Sequence, residues 1–364
     1  MKTRRIFHIN FTSCFQNSGR STAWAMLCLA LCMLGLGVST TAQGPTIITF
    51  DAPGAGTSAG QGTNAIAIIP MWAITGLYID NNSVVHSFLR ARDGTITTFE
   101  APGAGSETVS GFLGTAIPGV LGGQGTYSVG INPAGAITGF YVDASNAVHG
   151  FLRAPDGTFT TFDAPSLYAG GGFGQGTYPG NINPAGWIAG NTVDGNDVAH
   201  GFVRAPDGTI TEFDVPGAGN ESGQGTQTGW ASCINLYGAM TGEYIDEDNV
   251  VHGYIRAPDG TITEFDAPGA GAVAGSFQGT YAWSINPAGA AMGEYVDTNN
   301  VGHGFVRAGD GTITTFDVPG AGTGTGQGTI PLTNVLGGAT TGTYIDGGGV
   351  IHGFLRLPGP PWIW

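Results

Sequence analysis

The sequence predicts an all-β fold, a six-bladed β-propeller of four-stranded antiparallel blades. Three observations carry that expectation: a pattern repeated six times at a near-constant period, four strand-like runs in each repeat, and one repeat split between the two ends of the chain. The pattern runs G-x-Y-[IV]-D, then V-x-H-G-F-[LV]-R-A-P-D-G-T-I-T-x-F-D-x-P-G-A-G, then G-Q-G-T. Its phenylalanine recurs at Phe50, Phe99, Phe162, Phe213, Phe265 and Phe316, and its histidine at His86, His149, His200, His252, His303 and His352. The histidine spacings are 63, 51, 52, 51 and 49 residues, so one unit is about 51 residues, with an insertion of about a dozen in the second.

The second repeat shows the elements in order. Strand a covers residues 127–132 and ends in the turn Asn132-Pro133-Ala134-Gly135, strand b covers 136–143, strand c covers 148–154, and Pro155-Asp156-Gly157 turns the chain into strand d at 158–163. Proline presets φ at the first turn position and glycine supplies φ > 0, as tight hairpins require. Runs rich in Val, Ile, Thr, Phe and Tyr with no helical period between them read as successive antiparallel strands. Residues 46–51 (TIITFD) form a strand d with no c before it, whereas residues 350–357 (VIHGFLRL) form a strand c with no d after it. Pairing of these two segments would close the ring and leave no open sheet edge.

Domain boundaries follow from composition. Residues 1–42 carry Lys2, Arg4, Arg5 and Arg20 before the apolar run AWAMLCLALCMLGLGV and the small residues Ser39 to Ala42, which reads as a signal peptide; a retained anchor is the alternative, since the run is short for a spanning helix. The propeller is assigned to 43–357 and a C-terminal tail to 358–364. Secreted, extracellular or periplasmic, placement follows, with no stable membrane insertion after cleavage. Beyond residue 42 there remain seven arginines and no lysine against 26 acidic residues, a net charge of −19, which excludes nucleic acid and anionic lipid surfaces as partners. Cys233 is the one cysteine outside the leader, so no internal disulfide is available and a monomer held by strand pairing is expected.

The steps His149-Gly150-Phe151, His200-Gly201-Phe202, His303-Gly304-Phe305 and His352-Gly353-Phe354, with His86-Ser87-Phe88 and His252-Gly253-Tyr254 as variants, resemble the His-Ala-Phe step of the bacterial extracellular HAF repeat family. Ile131-Asn132, Ile182-Asn183, Ile234-Asn235 and Ile285-Asn286 match that family's I-N turn, while Gly or Ser stands in place of its alanine. The resemblance implies secretion and repeated β architecture, and no activity.

Residues present in every repeat are read as structural: the histidines as hydrogen-bonded to neighbouring turns, the arginines four residues on as clamps paired with a nearby aspartate. No metal, cofactor or catalytic residue is expected. Gly-Ala-Gly runs lack the helix and lysine of a phosphate loop, Asp246-Glu247-Asp248-Asn249 lacks the spacing of a calcium loop, and no nucleophile context marks a hydrolase triad. Ligand binding is placed on the edge carrying the d-to-a loops and b-to-c turns. Its candidate residues are Tyr127, Tyr178, Trp230 and Tyr281, as rings stacking on sugar C–H faces, with Asp143, Asp194, Asp246 and Asp297 accepting hydroxyl hydrogen bonds. The same aromatics could instead fill gaps between blades. Two functions stay open: a non-enzymatic binder of an extracellular glycan or surface component, and an extracellular polysaccharide hydrolase or lyase using paired carboxylates. A buried, non-repeated carboxylate cluster would favour the second, a shallow aromatic face the first.

Overall fold

The computed structural model describes residues 48–58, 60–107, 123–165, 174–229, 232–335 and 338–357. The segment 1–42 expected to be a signal peptide, the greater part of the insertion near Ser106 to Gly122, Trp230 and the tail 358–364 lie outside them. All described strands belong to the compact unit Phe50–Trp364.

Among the described residues twenty-three strands succeed one another with no helix between them. The first repeat comprises β1 (Gly62–Ile68), β2 (Ile74–Ile79), β3 (Val85–Arg90) and β4 (Ile96–Phe99). The second comprises β5 (Gly125–Ile131), β6 (Ile137–Val142), β7 (Val148–Arg153) and β8 (Phe159–Phe162), and the third β9 (Gly176–Ile182), β10 (Ile188–Val193), β11 (Ala199–Arg204) and β12 (Ile210–Phe213). The fourth holds β13 (Gly225–Thr228), β14 (Met240–Ile245), β15 (Val251–Arg256) and β16 (Ile262–Phe265). The fifth holds β17 (Gly279–Ile285), β18 (Ala291–Val296), β19 (Gly302–Arg307) and β20 (Ile313–Phe316), and the sixth β21 (Gly328–Asn334), β22 (Thr340–Ile345) and β23 (Ile351–Arg356). Within each repeat the strands pair antiparallel in sequence order, as in β5–β6, β6–β7 and β7–β8. The chain is therefore an all-β repeat protein built of propeller-like units.

Successive units meet in one repeated geometry. The start of each third strand touches the start of the next unit's first strand in parallel, as Val85 meets Gly125 and Val148 meets Gly176. A Cβ at Gly125 would lie 1.9 Å from the Val85 carbonyl oxygen, so the second glycine of G-Q-G-T is required by close backbone approach. The threonine after it accepts a hydrogen bond from the chain leaving the previous unit's fourth strand: Ala101 N to Thr126 Oγ1 at 3.0 Å, Ala164 N to Thr177 Oγ1 at 3.0 Å, Val215 N to Thr226 Oγ1 at 2.9 Å. The buried core lies in these seams, for example Phe99, Ile131, Ile137, Tyr141 and Phe151 between the first two units.

The turns after the first strands add a second link. Asn183 Oδ1 accepts from Ala185 N and Trp187 N, closing its own turn, while its Nδ2 donates to the Asn235 carbonyl at 3.0 Å. Asn235 does the same toward Asn286, and Asn286 toward Val335. Ile69 holds this place in the first unit and Val335 in the sixth, so the ladder runs from the second unit to the last.

The arginines differ from expectation. Each guanidinium lies on the phenylalanine ring of the preceding unit's fourth strand: Arg153 over Phe99 at 4.7 Å, Arg204 over Phe162 at 4.8 Å, Arg256 over Phe213 at 4.9 Å. The clamp is a cation–π contact and not an ion pair with aspartate. The reason is that the acids are taken: Asp259 Oδ1 caps its turn at Thr261 N, and the acidic residue after Phe99, Phe162, Phe213, Phe265 and Phe316 goes to histidine.

Closure of the ring also differs. Among the described strands β23 pairs with β22 alone, and Ile351 is 67% exposed where its counterparts Val85, Val148 and Val251 are wholly buried. Every other fourth strand is joined to its third by a local x-D-G hairpin, whereas this one would have to pair across the whole chain, a contact of far greater loop-closure entropy.

A guanidinium on a ring contributes about 0.5–2 kcal/mol. A double-mutant cycle of Arg256→Ala and Phe213→Leu should return a coupling of that size by urea denaturation. Asn183→Ala should cost more, about 2–3 kcal/mol, since it removes a buried donor and strands two turn N–H groups.

Candidate functional site

The repeated polar residues form one carboxylate–imidazole–carboxylate arrangement in each of the first five units. In the fourth, His252 Nδ1 lies 2.9 Å from Asp266 Oδ1 and Nε2 lies 3.3 Å from Asp246 Oδ2, while the ring stacks on Tyr244 at 4.9 Å between centroids. The second repeats it with His149, Asp163, Asp143 and Tyr141, and the first with His86, Glu100, Asp80 and Tyr78. The hydrogen bond from Glu100, Asp163 or Asp266 is the main cause raising His86, His149 and His252 above the ordinary imidazole pKa, against the opposing effect of burial. The structural reading of the histidines holds.

The candidate aspartates are committed to the same arrangement. Asp143, Asp194, Asp246 and Asp297 each place Oδ1 on two backbone N–H groups of their own turn, as Asp194 does with Asn196 N at 2.8 Å and Val198 N at 2.9 Å, and aim Oδ2 at the histidine. Burial opposes ionisation of Asp80, Asp194 and Asp297, but the two turn N–H groups outweigh it and lower each pKa.

The candidate aromatics do not share an exposed face. Tyr127 is wholly buried, stacked on Phe140 at 4.7 Å, with its hydroxyl donating to the Gly123 carbonyl. Tyr178 and Tyr281 are half-buried and spend their hydroxyls likewise on the Gly174 and Phe277 carbonyls. Burial raises all three phenol pKa values. These tyrosines tie the first strands of the second, third and fifth units to the loops entering them, while Asn64, Gln227 and Ile330 follow G-T in the others.

Exposed aromatics stand elsewhere. Trp72 is 63% exposed, Trp187 40% and Tyr237 70%, all on the turns between first and second strands, at the edge opposite the expected one. Trp72 is also strained. It occupies the turn position held by Gly135, Gly186, Gly238, Gly289 and Gly338 in the other units, each with φ between 77° and 88°, and itself adopts φ 68°. The equivalence is fixed by hydrogen bonding: Trp72 N donates to Ile69 O as Gly135 N donates to Asn132 O. A bulky residue in the left-handed region costs on the order of 1–3 kcal/mol. Phe277, φ 53°, likewise replaces the glycine found as Gly60, Gly174, Gly223 and Gly326.

One buried acidic pair breaks the repeat as well. Glu243 (β14) and Glu294 (β18) occupy the position filled by Leu77, Phe140, Asn191 and Thr343 elsewhere. Glu243 is 3% exposed and Glu294 is half-buried. Loss of water pushes the Glu294 carboxyl up to about 8, and burial with repulsion from Glu294 raises Glu243 well above the usual range. Sequence reading passed over Trp72 and this pair, yet both show when the six repeats are compared column by column.

No family model and no curated protein matches the chain. Among solved structures it is similar to Porphyromonas gingivalis dipeptidyl peptidase 4, with 10% identity and TM-score 0.45 over 79% of this chain and 44% of that one. It thus spans less than half of that enzyme. It is also similar to the Aleuria aurantia lectin in complex with α-methyl-L-fucoside, with 12% identity and TM-score 0.43 over 83% and 92%, and to the P. gingivalis surface component PorZ, with 12% identity and TM-score 0.39 over 84% and 47%. The repeated units, rather than these distant likenesses, define the class.

The titrations set a pH dependence. His86, His149 and His252 have raised folded pKa values, so their stabilisation is full below 6.5 and is lost as pH rises through those values. Glu294 acts in the same direction between 4.5 and about 8. The depressed aspartates oppose them only as pH falls below 3.8. The melting temperature should therefore peak between about pH 4 and 6 and fall by pH 9, and His252→Gln should flatten that decline in a calorimetric pH series.

Proposed function

We propose that the chain is a secreted, monomeric, non-enzymatic protein that binds an extracellular glycan, with the binding face on the turns carrying Trp72, Trp187 and Tyr237. The observation that carries this reading is Trp72. The turn needs a left-handed residue, glycine meets that need in five units, and the first unit instead holds a strained indole out in solvent with no packing return. Exposed aromatic faces on a lysine-free, acidic surface suit stacking against neutral or cationic sugar rings. The fucoside-binding lectin among the similar structures is consistent with this reading and adds no weight to it. Membership of the HAF repeat family and removal of residues 1–42 belong to the same proposal. The repeated aromatics and aspartates contribute as scaffold: Tyr178, Tyr281, Asp143, Asp194, Asp246 and Asp297 position loops, and Tyr127 packs the core.

Ring closure into six blades is part of this reading. Phe50 already sits on the first unit as other fourth-strand phenylalanines sit on theirs, with Arg90 over its ring at 4.9 Å and Ala52 N donating to Thr63 Oγ1 at 2.9 Å. His352 has Asp346 at Nε2 and, among the described residues, no carboxylate at Nδ1. Asp51 follows Phe50 as Asp163 follows Phe162, and supplies that carboxylate on closure. Asp51→Asn should then lower the melting temperature about as much as Asp163→Asn; no change would leave the last unit open.

The hydrolase or lyase alternative would rest on Glu243 and Glu294, the non-repeated carboxylates an acid–base pair requires. Of the two, Glu294 is half-buried and Glu243 only 3% exposed, so the pair cannot flank a glycosidic bond within a polymer, whereas Trp72 is open to one, and binding is the better-supported reading. Its test is a glycan array with wild type and Trp72→Gly. The variant restores the repeat's own turn residue, so its melting temperature should hold or rise, while affinity for the hits should fall by about 1–3 kcal/mol. Undiminished binding by Trp72→Gly, or no glycan bound by the wild type, would overturn it.

A further inference from the structure

The seam around the fifth unit contains a set of groups that neither the fold nor the turn-edge binding face uses. Glu243 on β14 is nearly inaccessible, and its Oε2 has no hydrogen-bond partner. The groups electrostatically coupled to it are themselves acids: Glu294, Tyr281, the wholly buried Tyr254 with an unpartnered hydroxyl, and the Cys233 thiol, which burial pushes up to about 12. Arg256 couples to Tyr254 but lies on the Phe213 ring. A buried carboxylate that lacks both a cation and a hydrogen-bond donor costs several kcal/mol relative to a paired one, which is why such groups are found paired or bound to ligand.

The surroundings complete the chemistry. Tyr281 is the direct cross-strand neighbour of Glu294, and the rings of Tyr281 and Trp283 meet edge to face at 6.4 Å. Tyr281, Trp283 and Glu294 are each only half-buried, so the buried carboxylate is bordered by residues that reach solvent. The chain has also made way for the Glu294 carboxylate. Where third strands begin with Val85, Val148, Ala199, Val251 or Ile351, the fifth unit has Gly302, and a Cβ there would stand 3.3 Å from Glu294 Oε2, 3.5 Å from the Gln327 carbonyl and 3.7 Å from that of Thr329. Gly302 has no left-handed backbone to explain it, so the missing side chain is a matter of space.

We infer that Glu243, Glu294, Tyr281 and Trp283 form a site for a ligand ammonium group, with Gly302 giving the Glu294 carboxylate its place. An ammonium supplies the charge and the donors that Glu243 Oε2 lacks, and aromatic faces beside carboxylates hold cations without a basic residue having to be displaced. On an extracellular binder the matching class is an amino sugar with a free amine, as in a glucosamine-containing glycan. This identification of the ligand rests on the glycan reading; the ammonium site itself does not, because it lies in a seam rather than on the turn edge of Trp72.

The test is calorimetric titration at pH 6 with glucosamine and, as a matched ligand without charge, N-acetylglucosamine. Glucosamine is expected to bind at least tenfold more tightly, and to release protons as the carboxylates ionise, seen as a heat that changes with buffer ionisation enthalpy. Gly302→Val, which installs the residue of the first, second and fourth units, should abolish that preference by displacing the Glu294 carboxylate. Glu243→Leu, the first unit's residue, should abolish it while raising stability. Equal binding of the two sugars, or an unchanged preference in Gly302→Val, would overturn the site. Loss of array binding in Trp72→Gly with glucosamine selectivity intact would instead separate the turn-edge reading from this one.

Discussion

A guanidinium laid on a phenyl ring, once in every unit, is the contact on which the architecture depends. Phe99 belongs to the first unit's sheet by its backbone and to the second unit's packing by its side chain, where Arg153 covers it and Phe159 lies 6.0 Å away. The same segment then donates a backbone N–H to the threonine of the next G-Q-G-T. These motifs, 11 to 25 residues apart, thus bind one unit to its neighbour, and with the buried Cys233 thiol free these seams, together with the asparagine ladder, link successive units.

That constraint explains why the repeat is strict where it is. The histidine is held between Asp or Glu on the fourth strand and Asp on the second turn, the tyrosine of G-x-Y stacks on it, and the glycine of G-Q-G-T admits the neighbouring carbonyl. Each residue type is fixed by a contact across strands or seams, so little of the repeated set is left free to bind anything. Ligand chemistry falls to positions where one unit departs from the others.

The architecture was legible in the sequence because strand order, turn chemistry and period all point the same way. Strands expected at 127–132, 136–143, 148–154 and 158–163 fall on β5 to β8 within a residue or two. What was not legible was partner choice. An arginine beside many aspartates reads as half of an ion pair, and only three-dimensional placement shows those aspartates already bound to turns and histidines. Tyr127 and Tyr281 read as a platform because they recur beside a loop, yet their hydroxyls are consumed by carbonyls four residues back. Trp72 and Gly302 were visible as letters, but their meaning depends on knowing that one sits at a left-handed turn position and the other against a buried carboxylate.

The central claim is that repeated residues maintain the fold and departures from the repeat carry the function. The most direct measurement takes one chain in which six departures are returned to their repeat types, Trp72→Gly, Trp187→Ala, Tyr237→Ala, Glu243→Leu, Glu294→Thr and Gly302→Val, and records its melting temperature and its glycan-binding profile together. The account predicts a protein at least as stable as the wild type that binds nothing the wild type binds. A chain that fails to fold, or one that folds and keeps the wild-type binding profile, would contradict it.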